Sequence, residues 1–183
     1  IKGIIFTHEH SDHVNSLKAI SPKKMYGTKG TLPSSLSNEI DYFKSFNIGS
    51  VKITAFPISH DAKKPAGYVI EDEEEKMVYM TDLGIFDSSY LSLLTNPTYL
   101  MIESNHDVSM LMKTNRPLCL KQRILSEHGH LCNEDSAFAA SLILGKDTKE
   151  IILAHISEEA NTPEVALTAY KEVFAYKGID LNR

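Results

Sequence analysis

"FTHEHSDHV", residues 6–14, overlaps the end of the apolar run "IKGIIF" (1–6) and puts three histidines and two acids into the six positions from 8 to 13. An apolar, β-branched run that ends on such a cluster reads as a strand delivering side chains to a site. In an extended segment residues two apart project to the same side, so His8 and His10 can reach one cation together. Asp12 and His13 follow where the chain turns into the helix-like "SDHVNSLKAI" (11–20), and that turn re-aims them in a way that suits a second cation beside the first. Imidazole and carboxylate are borderline and hard donors, a mixture suited to zinc, manganese or iron, whereas a closed structural zinc site usually recruits cysteine thiolates.

Two dications need more than four side chains, so further ligands are expected at the ends of other strands. Runs rich in β-branched and aromatic residues occur at "KGIIFT" (2–7), "VKITAFPI" (51–58), "AGYVIED" (66–72), "KMVYMTD" (76–82), "TYLMIES" (98–104) and "EIILAHI" (150–156). His60 follows the second of these, Asp82 ends the fourth and His155 lies in the last. Each has a plain alternative: His60 or His155 could pair with a backbone carbonyl, and Asp82 could cap the next segment. All eight histidines, however, share one kind of location, at strand ends or in connecting loops, which a lone core histidine does not explain. Helix-like segments "NEDSAFAASLIL" (133–144) and "TPEVALTAYKEVFAY" (162–176) open on a capping-type Asn or Thr, as 11–20 opens on Ser. Strands alternating with helices predict a mixed α/β architecture with helices covering the sheet faces. The acid block "EDEEE" (71–75) reads as a solvated hairpin turn.

The ordered set His8-x-His10-x-Asp12-His13, then His60, Asp82 and His155, resembles the metallo-β-lactamase superfamily, whose fold is an αββα sandwich, over nearly the whole chain. The resemblance implies that His8, His10 and His60 hold one metal, that Asp12, His13 and His155 hold a second, and that Asp82 bridges them. No cysteine stands in a ligand position, unlike in the antibiotic-hydrolysing branch that uses one. "THEHSDH", "SHDAKKPAGY", "TDLG", "ESNHD" and "HGHLCNEDS" are most similar to the YycJ/WalJ-type exonucleases, which implies a phosphodiester substrate, DNA before RNA. Family members begin with additional strands ahead of the H-x-H-x-D-H motif. This chain opens on Ile1 and has none, so the single domain of residues 1–183 is expected to be N-terminally incomplete, with an exposed edge on its first sheet.

Two cations about 3.5 to 4 Å apart share a bridging hydroxide and clamp the attacking and leaving oxygens of an in-line displacement. Zinc is the first choice and manganese the second. Asp12 is expected to accept a hydrogen bond from the hydroxide as well as to bind metal. His130 in "SEHGHLCNED" (126–135) is the expected proton donor, with Gly129 allowing close backbone approach; in the resembling nucleases a histidine at this point contacts the scissile phosphate. Asn105, His106 and His128 are further substrate-contact candidates, one of the first two lining the site and His128 either supporting a ligand or lying at the surface. Lys121 and Arg123, in the basic segment "MKTNRPLCLKQR" (112–123), are expected to line a groove for nucleic acid, a solvated helix face being the alternative.

A net charge of −5 argues against indiscriminate nucleic-acid binding, which depends on many cations displacing counterions from phosphates. Cys119 and Cys132 form no disulfide framework, which fits a reducing cytoplasm, and both are expected to be small buried apolar residues. "IKGIIF" is too short for a signal peptide or a membrane span, and nothing in the sequence calls for a membrane or an obligate protein partner. Two other functions fit parts of the pattern. A carbon-ester, thioester or lactone hydrolase would polarise a carbonyl in a small apolar pocket. A non-catalytic binding module would show lost ligands, and all seven are present.

Overall fold

The computed structural model describes residues 1–15 and 24–180. Alternation along the strands fixes the layers, because neighbouring side chains of a strand point to opposite faces. In β5 (Val51–Pro57) Ile53 and Ala55 turn to one face and Phe56 to the other; in β6 (Ala66–Glu71) Ala66 and Tyr68 oppose Val69 in the same way. A sheet apolar on both faces must be covered on both. These strands belong to a six-stranded sheet ordered β4-β5-β6-β7-β8-β9, with β4 at Phe46–Ile48, β7 at Lys76–Met80, β8 at Tyr99–Glu103 and β9 at Glu150–Ala154. One face packs on a smaller parallel sheet of β1 (Ile4–Ile5), β2 (Met25–Thr28) and β3 (Asn38–Ile40), where Ile40, Ile53, Ala55, Ala66 and Tyr68 form the buried centre.

The other face carries α5 (Asn133–Ile143) and α6 (Pro163–Lys177), whose Ala137, Ala140, Ile143, Tyr170 and Phe174 close over Val78, Met80, Leu100 and Ile102. Each large side chain buried there stabilises the fold by ~1.5–3 kcal/mol. A third cluster, Phe6, Met25 and Leu32 with Val14 of α1 (Ser11–Val14), covers the outer face of the small sheet. Helix, sheet, sheet and helix therefore stack as the αββα sandwich that the resemblance implies. Short helices α2 (Leu91–Leu94), α3 (Val108–Lys113) and α4 (Leu118–Ile124) lie in the connections.

Strand direction is what assembles the site. β5, β6 and β7 pair antiparallel in succession, and β7, β8 and β9 pair parallel, so β5, β7, β8 and β9 all end at one edge of the large sheet. Tyr68 donates to the Phe6 carbonyl (2.5 Å) and the Ala66 N–H to the Thr7 carbonyl (3.0 Å), bringing the end of β1 to that same edge.

Several local expectations need correction. β2, β3 and β4 are strands that sequence periodicity does not reveal, because they are three or four residues long with few apolar positions. The helix read over 11–20 is seen as Ser11–Val14, and 16–20 lie outside the described residues. The cap of α5 is Cys132, whose Sγ accepts from the Asp135 N–H, rather than Asn133. Neither cysteine is fully buried: Cys119 is exposed on α4, and Cys132 is half-buried by its capping role, where burial pushes its thiol up to about 12. The acid block does form the β6–β7 turn, where Asp72 accepts from the Glu74 and Glu75 N–H groups.

Candidate metal centre

At the common strand edge, ligand-type atoms fall into three overlapping groups, each within 4.8 Å: His8, His10 and His60; His8, His13 and Asp82; and Asp82, Glu103, His130 and His155. The rings of His8 and His13 stand 4.1 Å apart between centroids, those of His8 and His10 4.5 Å, and His60 lies about 5 Å from both His8 and His10. Asp82 sits between the halves, with Oδ2 3.5 Å from His13 Nε2 and Oδ1 3.4 Å from His155 Nε2. Asp12 lies beside His13 (3.6 Å) with its carboxylate open to solvent.

The outer nitrogens of these rings are tied down. Thr7 Oγ1 contacts Nδ1 of both His8 (3.1 Å) and His13 (3.0 Å), the Gly129 carbonyl accepts from His60 Nδ1 (3.3 Å), and Glu103 accepts from His155 Nδ1 (2.5 Å). A ring that donates from Nδ1 keeps the Nε2 lone pair for the centre, which is how outer contacts fix the tautomer of a metal-binding histidine. His10 is turned the other way, with Nδ1 facing His60 Nε2 at 3.3 Å. Among the described residues, His8 Nε2 and Asp82 Oδ2 are buried side-chain atoms with no hydrogen-bond partner. Orphaned polar atoms of this kind are costly unless something satisfies them. A lone pair and a carboxylate oxygen aimed into one cluster of imidazoles fit a cation.

Electrostatics divide the metal-free cluster into neutral rings and a charged pair. Burial, reinforced by the neighbouring His13, pushes His8 down to about 4, and burial also lowers His60, so both rings are neutral donors at neutral pH. Burial opposes ionisation of Glu103, yet the hydrogen bonds from His130 and His155 outweigh it and hold the carboxyl down at about 2. Burial likewise pulls His155 down, but the Glu103 hydrogen bond and the Asp82 charge prevail and raise it to about 9. The backbone is strained at two of the same positions: Asp82 (φ 61°) and His155 (φ 55°) both adopt the left-handed region. Such conformations cost ~1–3 kcal/mol each and persist where surrounding structure over-determines them.

Glu103, the last residue of β8, escapes sequence reasoning. It is completely buried, and its four contacts join three loops: His130 Nδ1 (2.8 Å) and His155 Nδ1 on one oxygen, the Leu83 N–H (3.0 Å) and the Leu131 N–H (3.2 Å) on the other. The signal available was an acid ending an apolar strand, the same signal that marks Asp82. Thr7, inside the opening motif, is the other residue missed. The loop carrying His128 and His130 approaches through two glycines: a Cβ on Gly129 would stand 2.2 Å from the Ile124 carbonyl oxygen, and one on Gly84 would stand 2.3 Å from that of Ser126.

The remaining candidates separate. His130 lies 5.3 Å from His60 and 5.1 Å from His155 between ring centroids. His128 is exposed and meets Ser59 Oγ at 3.0 Å, beside His60. Asn105 donates to the His155 carbonyl (2.9 Å) and lines the cleft next to it. Arg123 reaches Asp61 (2.5 Å), which is itself 3.4 Å from His60 Nε2. One candidate lies off that cleft and one expectation is corrected. His106 is buried at 1% exposure and is absent from the lining of that cleft, so Asn105 is the one of the pair that borders the site. Lys121 is buried, and its ammonium donates to the carbonyls of Met112 (2.7 Å) and Thr114 (2.8 Å), so it holds the end of α3 instead of facing a groove.

With this geometry in place, the comparisons give the class. The chain belongs to the β-lactamase superfamily, whose "Beta-lactamase superfamily domain" matches residues 1–156, and it is a metal-dependent hydrolase. It is similar to the "Exodeoxyribonuclease YycJ" of Bacillus anthracis, with 32% identity over 97% of this chain and 72% of that protein. It is also similar to the "Exodeoxyribonuclease WalJ" of Streptococcus pneumoniae serotype 2, with 34% identity over 91% of this chain and 67% of that one. Among solved structures, the metallo-β-lactamase fold protein YhfI from Bacillus subtilis matches with a TM-score of 0.71 at 17% identity, over 96% of this chain and 72% of YhfI.

Proposed function

We propose that this protein is a two-metal phosphodiesterase that degrades DNA from an end. The observation that carries the reading is the convergence of His8, His10, His13, His60, Asp82 and His155 on one strand edge, with Nδ1 of His8, His13, His60 and His155 tied from outside and His8 Nε2 and Asp82 Oδ2 left without a partner among the described residues. His8, His10 and His60 would hold one cation, and Asp12, His13 and His155 the other, with Asp82 between them; zinc suits this nitrogen and oxygen set, and manganese is the second choice. When bound, such a pair supplies an activated water and neutralises charge on the phosphoryl oxygens.

The protein's own groups do the rest. His130, its Nδ1 fixed on Glu103, would when doubly protonated carry on Nε2 the proton that goes to the departing sugar oxygen. Asp12, open to solvent beside His13, can accept a hydrogen bond from the attacking water. Arg123 and Asn105 line the cleft that a phosphate chain would follow. A carbon-ester or lactone substrate would call for a small apolar pocket at the centre, whereas the cleft beside His130 and His155 is lined by Arg116, Arg123 and Asn105. All seven expected ligands are kept, against a merely binding role. Among the described residues no helix is long and apolar enough to cross a membrane, and free cysteines are in keeping with work in the cytoplasm.

The test is digestion of end-labelled single- and double-stranded DNA and of RNA by zinc- or manganese-loaded protein, beside thioester and lactone substrates. Stepwise release of mononucleotides from DNA is expected. Turnover confined to thioesters or lactones would refute the reading.

A further inference from the structure

Beside the histidines, α4 and the loop after β9 border a cleft of about 360 Å3 whose walls carry Asn105, Arg116, Arg123, His130 and His155, with the acids Glu158 and Glu159 also lining it. The two histidines are walls of both the cleft and the metal centre. Leu120, Arg123 and Ile124 share one face of α4 by their three- and four-residue spacing, and Arg116 stands just ahead of that helix. Arg116 gives Nε to Glu159 (3.0 Å), and its two terminal nitrogens make no hydrogen bond among the described residues. Arg123 commits Nε and one terminal nitrogen to a single oxygen of Asp61 and keeps the other terminal nitrogen. Both guanidinium groups are thus held at the cleft by a carboxylate on one side while retaining donors on the other.

We propose, on the basis of the phosphodiester reading above, that this cleft is a second anion site. It takes the phosphate adjacent to the scissile one, with Arg116 and Arg123 as a clamp, and so selects a polynucleotide over an isolated diester. The Glu159 carboxylate is 61% exposed. An ion pair so open to water contributes little, whereas two-pronged arginine–phosphate contacts are among the strong charge-assisted ones. A phosphate can therefore displace Glu159 from Arg116 with a net gain. Asp61, close to His60 and His10, instead stays as the anchor that aims Arg123.

Metal-loaded wild type, Arg116→Ala and Glu159→Gln are compared on bis(p-nitrophenyl) phosphate, which carries one phosphate, and on an end-labelled single-stranded oligodeoxynucleotide. In Arg116→Ala the ratio of oligonucleotide to small-diester kcat/KM is expected to fall about 10- to 100-fold, the size of a lost charge-assisted hydrogen bond. The salt slope of oligonucleotide binding should flatten by about one. Glu159→Gln removes the competing charge and leaves an acceptor that can still hold Arg116 Nε, so it should raise the ratio, and it tests the clamp even if Arg116→Ala fails to fold. An unchanged ratio in either folded variant overturns the clamp and leaves the diesterase reading standing. Wild type that cleaves neither substrate overturns both.

Discussion

Replacing Glu103 by alanine removes, in one step, the acceptor for two backbone N–H groups and two imidazoles. Leu83 N–H and Leu131 N–H lose the one partner each has among the described residues, at 3.0 and 3.2 Å, and the Nδ1 atoms of His130 and His155 lose the carboxylate that aims their rings. Each stranded buried donor costs ~1–3 kcal/mol, and taking one member from a buried ion pair costs ~3–5 kcal/mol. Water entering the cavity recovers part of this, so a net loss of ~3–5 kcal/mol is expected, or roughly 6–20 °C in Tm for a domain of this size. Glu103→Gln keeps one acceptor oxygen and should lose about half as much. In both variants metal affinity should fall roughly 10- to 100-fold, as happens when a group orienting a ligand is removed. Denaturant melts of chelator-treated protein and competition titrations with a chromogenic zinc chelator measure the two effects separately. A Glu103→Gln protein with wild-type stability and wild-type metal affinity would refute the role assigned to this carboxylate.

Three further outcomes follow from the same geometry. In the metal-free protein His155 is raised from 6.5 to about 9, so its contribution is complete below pH 6.5 and is lost as pH rises through about 9. Glu103 is lowered from 4.5 to about 2, so its contribution is present above pH 4.5 and is lost as pH falls through about 2. The stability gap between wild type and Glu103→Gln should therefore be widest from pH 4.5 to 6.5 and narrow toward alkaline pH; a flat gap in denaturant melts would contradict this. Gly129→Ala sets a methyl against the Ile124 and Arg123 carbonyl oxygens at 2.2–2.3 Å, so it should displace both His130 and the carbonyl that holds His60, lowering kcat and weakening metal binding together; unaltered kinetics would argue against it. Lys121→Ala should lower Tm, through loss of two carbonyl contacts worth ~1.5–3 kcal/mol together, and leave the salt dependence of DNA binding unchanged; a flattened salt slope would restore Lys121 as a phosphate contact.

Much of the site was legible because metal chemistry leaves a coarse mark: side chains of a restricted type, at the ends of apolar runs. His60, Asp82 and His155 are found that way, since strands running in one direction must release their loops at one edge. Glu103 carries the same mark but stands inside the strand's last position, where a carboxylate reads as the start of a solvated loop until its four donors are seen. Lys121 failed for a different reason. Which face of the seven-residue α4 turns inward is decided by packing of Ile124 against Leu111 and Ala160, which periodicity over two turns does not fix. The same packing leaves Cys119 in solvent. Strands β2 to β4 are too short for alternation to show; β2 and β3 form through parallel pairing with strands well separated in sequence, and β4 closes a short hairpin with β5.

Elemental analysis of protein purified without added metal tests the centre most directly, run beside His8→Ala and His155→Ala. Two equivalents of a transition metal per chain are expected in wild type, with His8→Ala and His155→Ala each depleting chiefly the position that the residue would hold. Wild-type protein that retains no metal, or variants that retain the full complement, would contradict the account.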